Sequence, residues 1–381
     1  MTHDFIVIGA GIAGASLAYE LARSSAVCLI EGEPRPGLHA TGRSAALFAP
    51  SYGGRAIRAI TRASRPFFDR PPAGFCEHPL LRSRGGLYIA RQDQCARLRQ
   101  MTDGIRDSGG SVVLLSAREA LEKVPNIRRD YVAEAAFDPN GMDIDVNALQ
   151  QGFLRGARAA GARLVVDHWV RGADWRDGEW FIELSDGPVS APVLINAAGA
   201  WADEVARACG ARPVGLQALR RTAALVDPPS GVDVRHWPAV IDADEQFYFK
   251  PETGKLLLSP ADETPIAPCD AQPEDIDVAT GVDRVQAVLD FEVQRVRHRW
   301  AGLRTFSPDR VPVVGFDADV PGFFWCAGQG GYGIQTAPAL ARAAAALAMQ
   351  QALPADVAAE GLAPEDLSPR RFSESANRRQ G

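Results

Sequence analysis

Gly9-Ala10-Gly11-Ile12-Ala13-Gly14 is the first stretch whose residue types and spacing could do chemistry. Its three glycines suit the approach of a pyrophosphate to bare backbone. Gly9 permits a tight turn, Gly11 carries no side chain to hold the phosphates off, and Gly14 lets a helix pack closely. Glu31 follows twenty residues after Gly11, where a carboxylate can accept from a ribose hydroxyl. A second glycine-dense run, Gly328-Gln329-Gly330-Gly331-Tyr332-Gly333, precedes an alanine-rich segment. A helix N-terminus there offers free N–H groups to a phosphate, or to a ring edge that gains negative charge on reduction. Between them, Thr41, Arg43 and Ser44 suit contacts to phosphate and ribitol oxygens, and Thr41 or Ser44 suits a helix cap equally well.

The elements that must hold these residues are legible around them. Phe5-Ile6-Val7-Ile8 and Val27-Cys28-Leu29-Ile30 are short apolar runs, with helical spacing at Ala15, Leu17, Ala18 and Leu21 between them. Strand, glycine turn, helix, strand and acid make one βαβ unit that binds a dinucleotide. The unit alone does not distinguish FAD from NAD. Val193-Leu194-Ile195 leads into Asn196–Trp201, whose small residues would let a cofactor lie on the backbone at a strand's carboxyl end; plain strand–helix packing accounts for them equally well. A helix is expected over 55–70, strands at 86–90 and 112–115, and a helix from Asp145 to Gly161. Trp169-Val170, Trp175 and Trp180-Phe181-Ile182 suggest an antiparallel meander. Strands at 245–250 and 255–258 flank a turn, and a helix is expected over about 282–298. The helix from Thr336 to Gln350 would take Pro338 in its first turn, and 353–381 reads as an exposed tail.

Composition narrows the function classes. The chain has 381 residues, 46% of them hydrophobic and 23% charged, enough for about two domains. A net charge of −6 and no long basic run argue against nucleic acid as a partner. Six scattered cysteines without CxxC spacing argue against a zinc site or a disulfide framework, and no metal site is expected. No stretch reads as a transmembrane segment. Residues 5–19 are taken up by the βαβ unit rather than by a signal peptide, so a cytoplasmic location is expected, peripheral to the membrane at most.

Gly9–Gly14 with Glu31, His39–Ala46, Ile195–Trp201 and Gly328–Ile334 together resemble the FAD-dependent amine oxidoreductases of the glycine oxidase, sarcosine oxidase and D-amino-acid oxidase superfamily. The resemblance is strongest to D-arginine dehydrogenase-like enzymes, and extends over Gly74–Leu81 and Arg220-Arg221. It implies an α/β fold, with a Rossmann-like FAD domain (1–84, 141–213, 299–381) and a mostly antiparallel α+β substrate domain (85–140, 214–298). It implies FAD held without a covalent bond by Gly9, Gly11, Ile12, Ala13, Gly14 and Glu31, by Thr41, Arg43, Ser44 and Val170, by Ala197, Gly199 and Trp201, and by Gly330, Gly331, Tyr332, Gly333 and Ile334.

The implied reaction is oxidative deamination of a D-amino acid, with hydride passing from Cα to flavin N5 and water hydrolysing the imino acid to 2-oxo acid and ammonia. Arg221 and Arg304 match the family's carboxylate clamp, Tyr248 and Tyr52 its hydroxyls, and Gly331 the carbonyl that receives the substrate ammonium. Arginine suits a carboxylate because it binds in two-pronged fashion. No catalytic base is required. The electron acceptor, a quinone or another, is left open, as is oxidase against dehydrogenase; a glycine- or sarcosine-type amine oxidase, an FAD-dependent 2-hydroxy-acid dehydrogenase and a flavin-binding regulatory protein stay open as alternatives. Leu47, Ala49, Gly86, Ala239 and Ile241 fall at pocket positions. Gly86 stands where the arginine-specific enzymes carry an acid, and Leu47 where they carry a histidine. A guanidinium without a partner in an apolar pocket costs several kcal/mol, so a preference for neutral or apolar side chains over D-arginine is expected, unless another acid such as Glu245 intervenes.

Overall fold

The computed structural model describes residues 1–107 and 109–372. Two large sheets face one another across a cleft. The first has six strands, in the order Val313–Phe316, Phe323–Ala327, Val193–Asn196, Phe5–Ile8, Val27–Ile30 and Arg163–Val165. Its four central pairings are parallel, and Val313–Phe316 is antiparallel at the edge. Phe5–Ile8 and Val27–Ile30 are buried on both faces, which explains their unbroken apolar runs. Helices Ile12–Leu21, Val146–Ala159 and Gly333–Ala348 pack on one face through Leu17, Leu21, Phe153 and Leu340. A three-stranded meander, Asp174–Arg176, Glu179–Ile182 and Val189–Ala191, covers the other through Trp180.

The second sheet has ten strands. Nine run in the order Gln329–Gly330, Val296–Phe306, Gln217–Val226, Lys255–Ser259, Tyr248–Glu252, Ala239–Asp242, Gly86–Ala90, Glu134–Asp138 and Val113–Ser116, and Thr264–Pro265 pairs beside Gln217–Val226. All are antiparallel neighbours except Ala239–Asp242 with Gly86–Ala90. The period of two splits its residues cleanly. Leu87, Ile89, Val240, Phe249, Leu256 and Leu258 bury against Val278, Val285 and Val288 of the helix Asp275–Val288. The opposite face carries Gly86, Tyr88, Ala239, Ile241, Tyr248, Arg221 and Arg304 in mutual register. That face looks onto the first sheet.

Several expectations are corrected. The helix expected over 282–298 is Asp275–Val288, and the chain from Val296 is an eleven-residue strand. Its Ala301, Leu303 and Thr305 alternate with Gly302 and Arg304, and it pairs with the whole of Gln217–Val226. The boundary expected at 298/299 therefore falls inside one strand. Pro338 lies in the second turn, because the helix starts earlier, at Gly333. Ser64 helps at the interrupted ladder there: its Oγ accepts from the Ala339 N–H (3.1 Å), and its one proton has the Ile60 (2.9 Å) and Thr336 (3.2 Å) carbonyls as acceptors. Trp169 and Val170 lie outside the meander, because Trp169 packs on Trp201 instead. The expected exposed tail is packed as far as it is described, with Val357, Leu362 and Leu367 in the core; 373–381 lie outside the described residues.

Candidate active site

The nucleotide side of the cleft is built from strand ends. Gly9 has φ +95°, and a Cβ there would sit 2.5 Å from the Ala197 carbonyl. A Cβ on Gly14 would sit 1.8 Å from the Gly9 carbonyl, so only glycine lets this helix meet this turn. The Glu31 carboxylate accepts from the Ala10 N–H (2.8 Å) and the Glu33 N–H (3.0 Å). Burial nonetheless raises its pKa above the ordinary carboxylate range. Thr41 Oγ1 accepts from the Ile12 N–H at 2.9 Å, so it caps the first helix and not its own segment, which is a turn and not a helix. The buried Asn196 side chain shapes the next turn, donating to the Ala202 carbonyl and accepting from the Ala198 N–H. Trp201 packs between His39 (4.6 Å) and Trp169 (5.4 Å).

On the opposing sheet face, Leu219 pairs with Arg304 and Arg221 with Gly302, which makes Arg221 and Arg304 diagonal neighbours. Arg221 donates to the Asp262 carbonyl (2.8 Å) and to Glu263 (3.2 Å). Burial, and then the like charge of Arg304, push its pKa down. Arg304 lines the cleft together with Tyr52 and Tyr248. A Cβ on Gly331 would lie 2.6 Å from Arg304 Cζ, so the guanidinium rests flat on bare glycine backbone. Two neighbouring cations, of which only Arg221 is held by a carboxylate among the described residues, make this corner receptive to a small anion.

One cleft of about 630 Å³ is lined by Gly9, Gly11, Ile12, Ala13, Glu31, Thr41, Arg43, Ser44, Val170, Ala197, Gly199, Trp201, Gly330, Gly331, Gly333 and Ile334. It is also lined by Leu47, Ala49, Tyr52, Arg221, Ala239, Ile241, Tyr248 and Arg304. Three residues expected at the site do not line it. Gly14 is used in packing. Tyr332 turns its ring against Phe306 (6.2 Å) and Tyr52 (5.1 Å). Gly86 has no side chain to reach the cleft, although a Cβ there would stand 4.0 Å from Ile241.

Arg43 lines the cleft, but its guanidinium is committed elsewhere. It donates to the Ala271 and Ala301 carbonyls (2.8 and 3.0 Å) and pairs with Asp270, tying the two sheets together. Ser44 Oγ accepts locally from the Ala46 N–H. Arg220 faces away from the cleft, paired with Glu274 and Asp277. Sequence reasoning missed Tyr88, Phe247, Lys250 and Gln335. The period of two from Gly86 through Tyr88, and from Tyr248 to Lys250, was the available signal.

Two opposed sheets, with two helix N-termini opening on the cleft between them, are the architecture of a dinucleotide-binding protein. The profile of the family described as "FAD dependent oxidoreductase" matches residues 4–347, and the chain belongs to that family. FAD-dependent oxidoreductase domain-containing protein 1 of Bos taurus is 23% identical over 91% of this chain and 81% of its own. Human mitochondrial dimethylglycine dehydrogenase is 24% identical over 87% of this chain, which spans only 40% of that protein. The glycine oxidase structure from Geobacillus kaustophilus superposes with a TM-score of 0.81 at 21% identity, covering 92% of this chain and 95% of that one.

The residues present fit FAD, the cofactor of the family. A bare Gly11 at a helix mouth, a carboxylate at the second strand's end and a second helix N-terminus at Gly333 meet along the cleft. Among the described residues, no helix is long and apolar enough to cross a membrane, and no group of three or more His, Cys, Asp or Glu is placed to hold a metal ion.

Proposed function

We propose that this protein oxidises α-amino acids of D configuration to 2-oxo acid and ammonia, favouring neutral side chains over D-arginine. The Arg221–Arg304 pair beside the cofactor cleft carries the reading. A substrate carboxylate fits these two guanidinium groups, with the Tyr52 and Tyr248 hydroxyls completing the contacts. The Gly331 carbonyl would receive the amine and turn Cα inward. When bound, FAD supplies the two-electron acceptor for the hydride that leaves Cα. Holding carboxylate and amine at fixed points is the protein's main contribution, because orientation alone is worth several kcal/mol. Proton loss from the ammonium to solvent gives the neutral amine, so no dedicated base is needed. The imino acid then takes up water and releases ammonia. The final electron acceptor is a quinone or another small oxidant.

Leu47, Ala49, Ala239, Ile241 and Phe247 support the side-chain preference, since they give the pocket an apolar wall. Glu245 is the acid at the rim and stands 3.4 Å from the Tyr52 hydroxyl. A substrate panel tests the reading. D-leucine, D-methionine and D-phenylalanine should give higher kcat/KM than D-arginine and D-lysine. Highest values for D-arginine and D-lysine would sink the side-chain preference. Turnover confined to glycine and its N-methyl derivatives would replace the substrate class.

A further inference from the structure

Behind the pocket wall, a buried chain of polar groups has no role in the reaction as derived so far. Asp138 is 3% exposed and lies in register with Gly86, which has no side chain to crowd it. Its carboxylate is met by the Ser51 hydroxyl (2.5 Å) and the Asn140 N–H (2.8 Å), and by no cation among the described residues. Ser51 is 6% exposed and Tyr88 5%; their oxygens are 3.2 Å apart.

The proton directions follow from valence. An ionised carboxylate only accepts, so the single Ser51 proton goes to Asp138. Ser51 can then only accept from Tyr88, so the Tyr88 hydroxyl donates inward. The lone pairs left on the Tyr88 oxygen belong to a group polarised by a chain that ends in a negative charge, which strengthens it as an acceptor. Tyr88 lines the cleft beside Ile241, its register partner, and Tyr52 and Glu245 line the same cleft.

We infer that Tyr88, Ser51 and Asp138 form a relay that gives the side-chain pocket one hydrogen-bond acceptor, which recognises neutral substrate side chains bearing an N–H or O–H donor. This rests on reading the cleft as an α-amino-acid site. It narrows "neutral" to side chains such as a carboxamide or a hydroxyl, set in otherwise apolar surroundings.

D-asparagine and D-leucine are near-isosteric and differ in the donor, so the ratio of their kcat/KM values is the readout. With FAD-loaded enzyme, Tyr88→Phe should lower the asparagine-to-leucine ratio by about 3- to 10-fold, the effect of one hydrogen bond. Asp138→Asn and Ser51→Ala should lower it in the same direction by less, through KM more than kcat. A ratio unchanged in all three variants, with both substrates slowed alike, overturns the relay and leaves a structural role. If only L-amino acids are oxidised, the D-configuration reading fails while the relay is still decided, on L-asparagine against L-leucine. If no amino acid with a side chain is oxidised, both readings fall.

Discussion

Arg221 and Arg304 differ in how they are held, and the difference predicts separate phenotypes. Arg221 shares Glu263 with Arg310. Arg221→Ala therefore leaves Glu263 paired, and the loss should fall on substrate alone. Arg304 rests on the bare backbone of Gly331. Each alanine variant should weaken substrate binding by roughly 10- to 100-fold, the worth of a charge-assisted hydrogen bond or two. Both should retain FAD, so titration of the yellow protein with a substrate-like carboxylate measures the change. Loss of FAD from both variants would mean that the arginines belong to the cofactor side. The two arginines were visible in the sequence only through a resemblance. Nothing local to Arg220-Arg221 says which one faces the cleft. Strand register decides it, by sending Arg220 to Glu274 and Asp277.

At the level of elements, the glycine turn and first helix form a unit that tolerates no added Cβ at Gly14. Gly14→Ala would put a methyl 1.8 Å from the Gly9 carbonyl. The overlap must be relieved by moving the helix from the strand, at a cost of about 1–3 kcal/mol or more. Thermal unfolding should show a lower Tm, and FAD affinity should fall with it because the helix N-terminus moves. An unchanged Tm with normal FAD binding would contradict this packing.

The βαβ unit was fully legible because its strand, turn, helix and acid are consecutive. The helix from Asp145 was legible too: Asp145 caps it by accepting from the Ala148 N–H at 2.8 Å, and Gly161 stops it at φ +97°. Val296–Phe306 was misread where it overlaps the expected helix, because its partner Gln217–Val226 lies about eighty residues upstream and local spacing carries no trace of it. Tyr88 and Asp138 escaped for the same reason. They meet through Ser51, which belongs to neither strand.

For the molecule as a whole, the cleft is the seam between the two sheets. Besides Arg43, a further tie across it in the structure is the Trp300 indole, which donates to the Arg43 carbonyl at 3.0 Å. A cofactor bound there touches both sides, so FAD should stabilise the entire fold and not one half of it. At free FAD near 100 times its Kd, linkage gives about 2.7 kcal/mol. Stripping FAD should lower Tm, and adding it back should restore Tm in a concentration-dependent way. The central claim is that the cleft dehydrogenates Cα of an α-amino acid held by Arg221 and Arg304, with the D configuration presenting its hydrogen inward. The most direct test is anaerobic mixing of the FAD-loaded protein with D-leucine and, separately, L-leucine, while following the flavin absorbance near 450 nm. Bleaching by D-leucine, fast and saturable, with little or none by L-leucine, is the predicted result. Bleaching by L-leucine alone, or by neither, would contradict it.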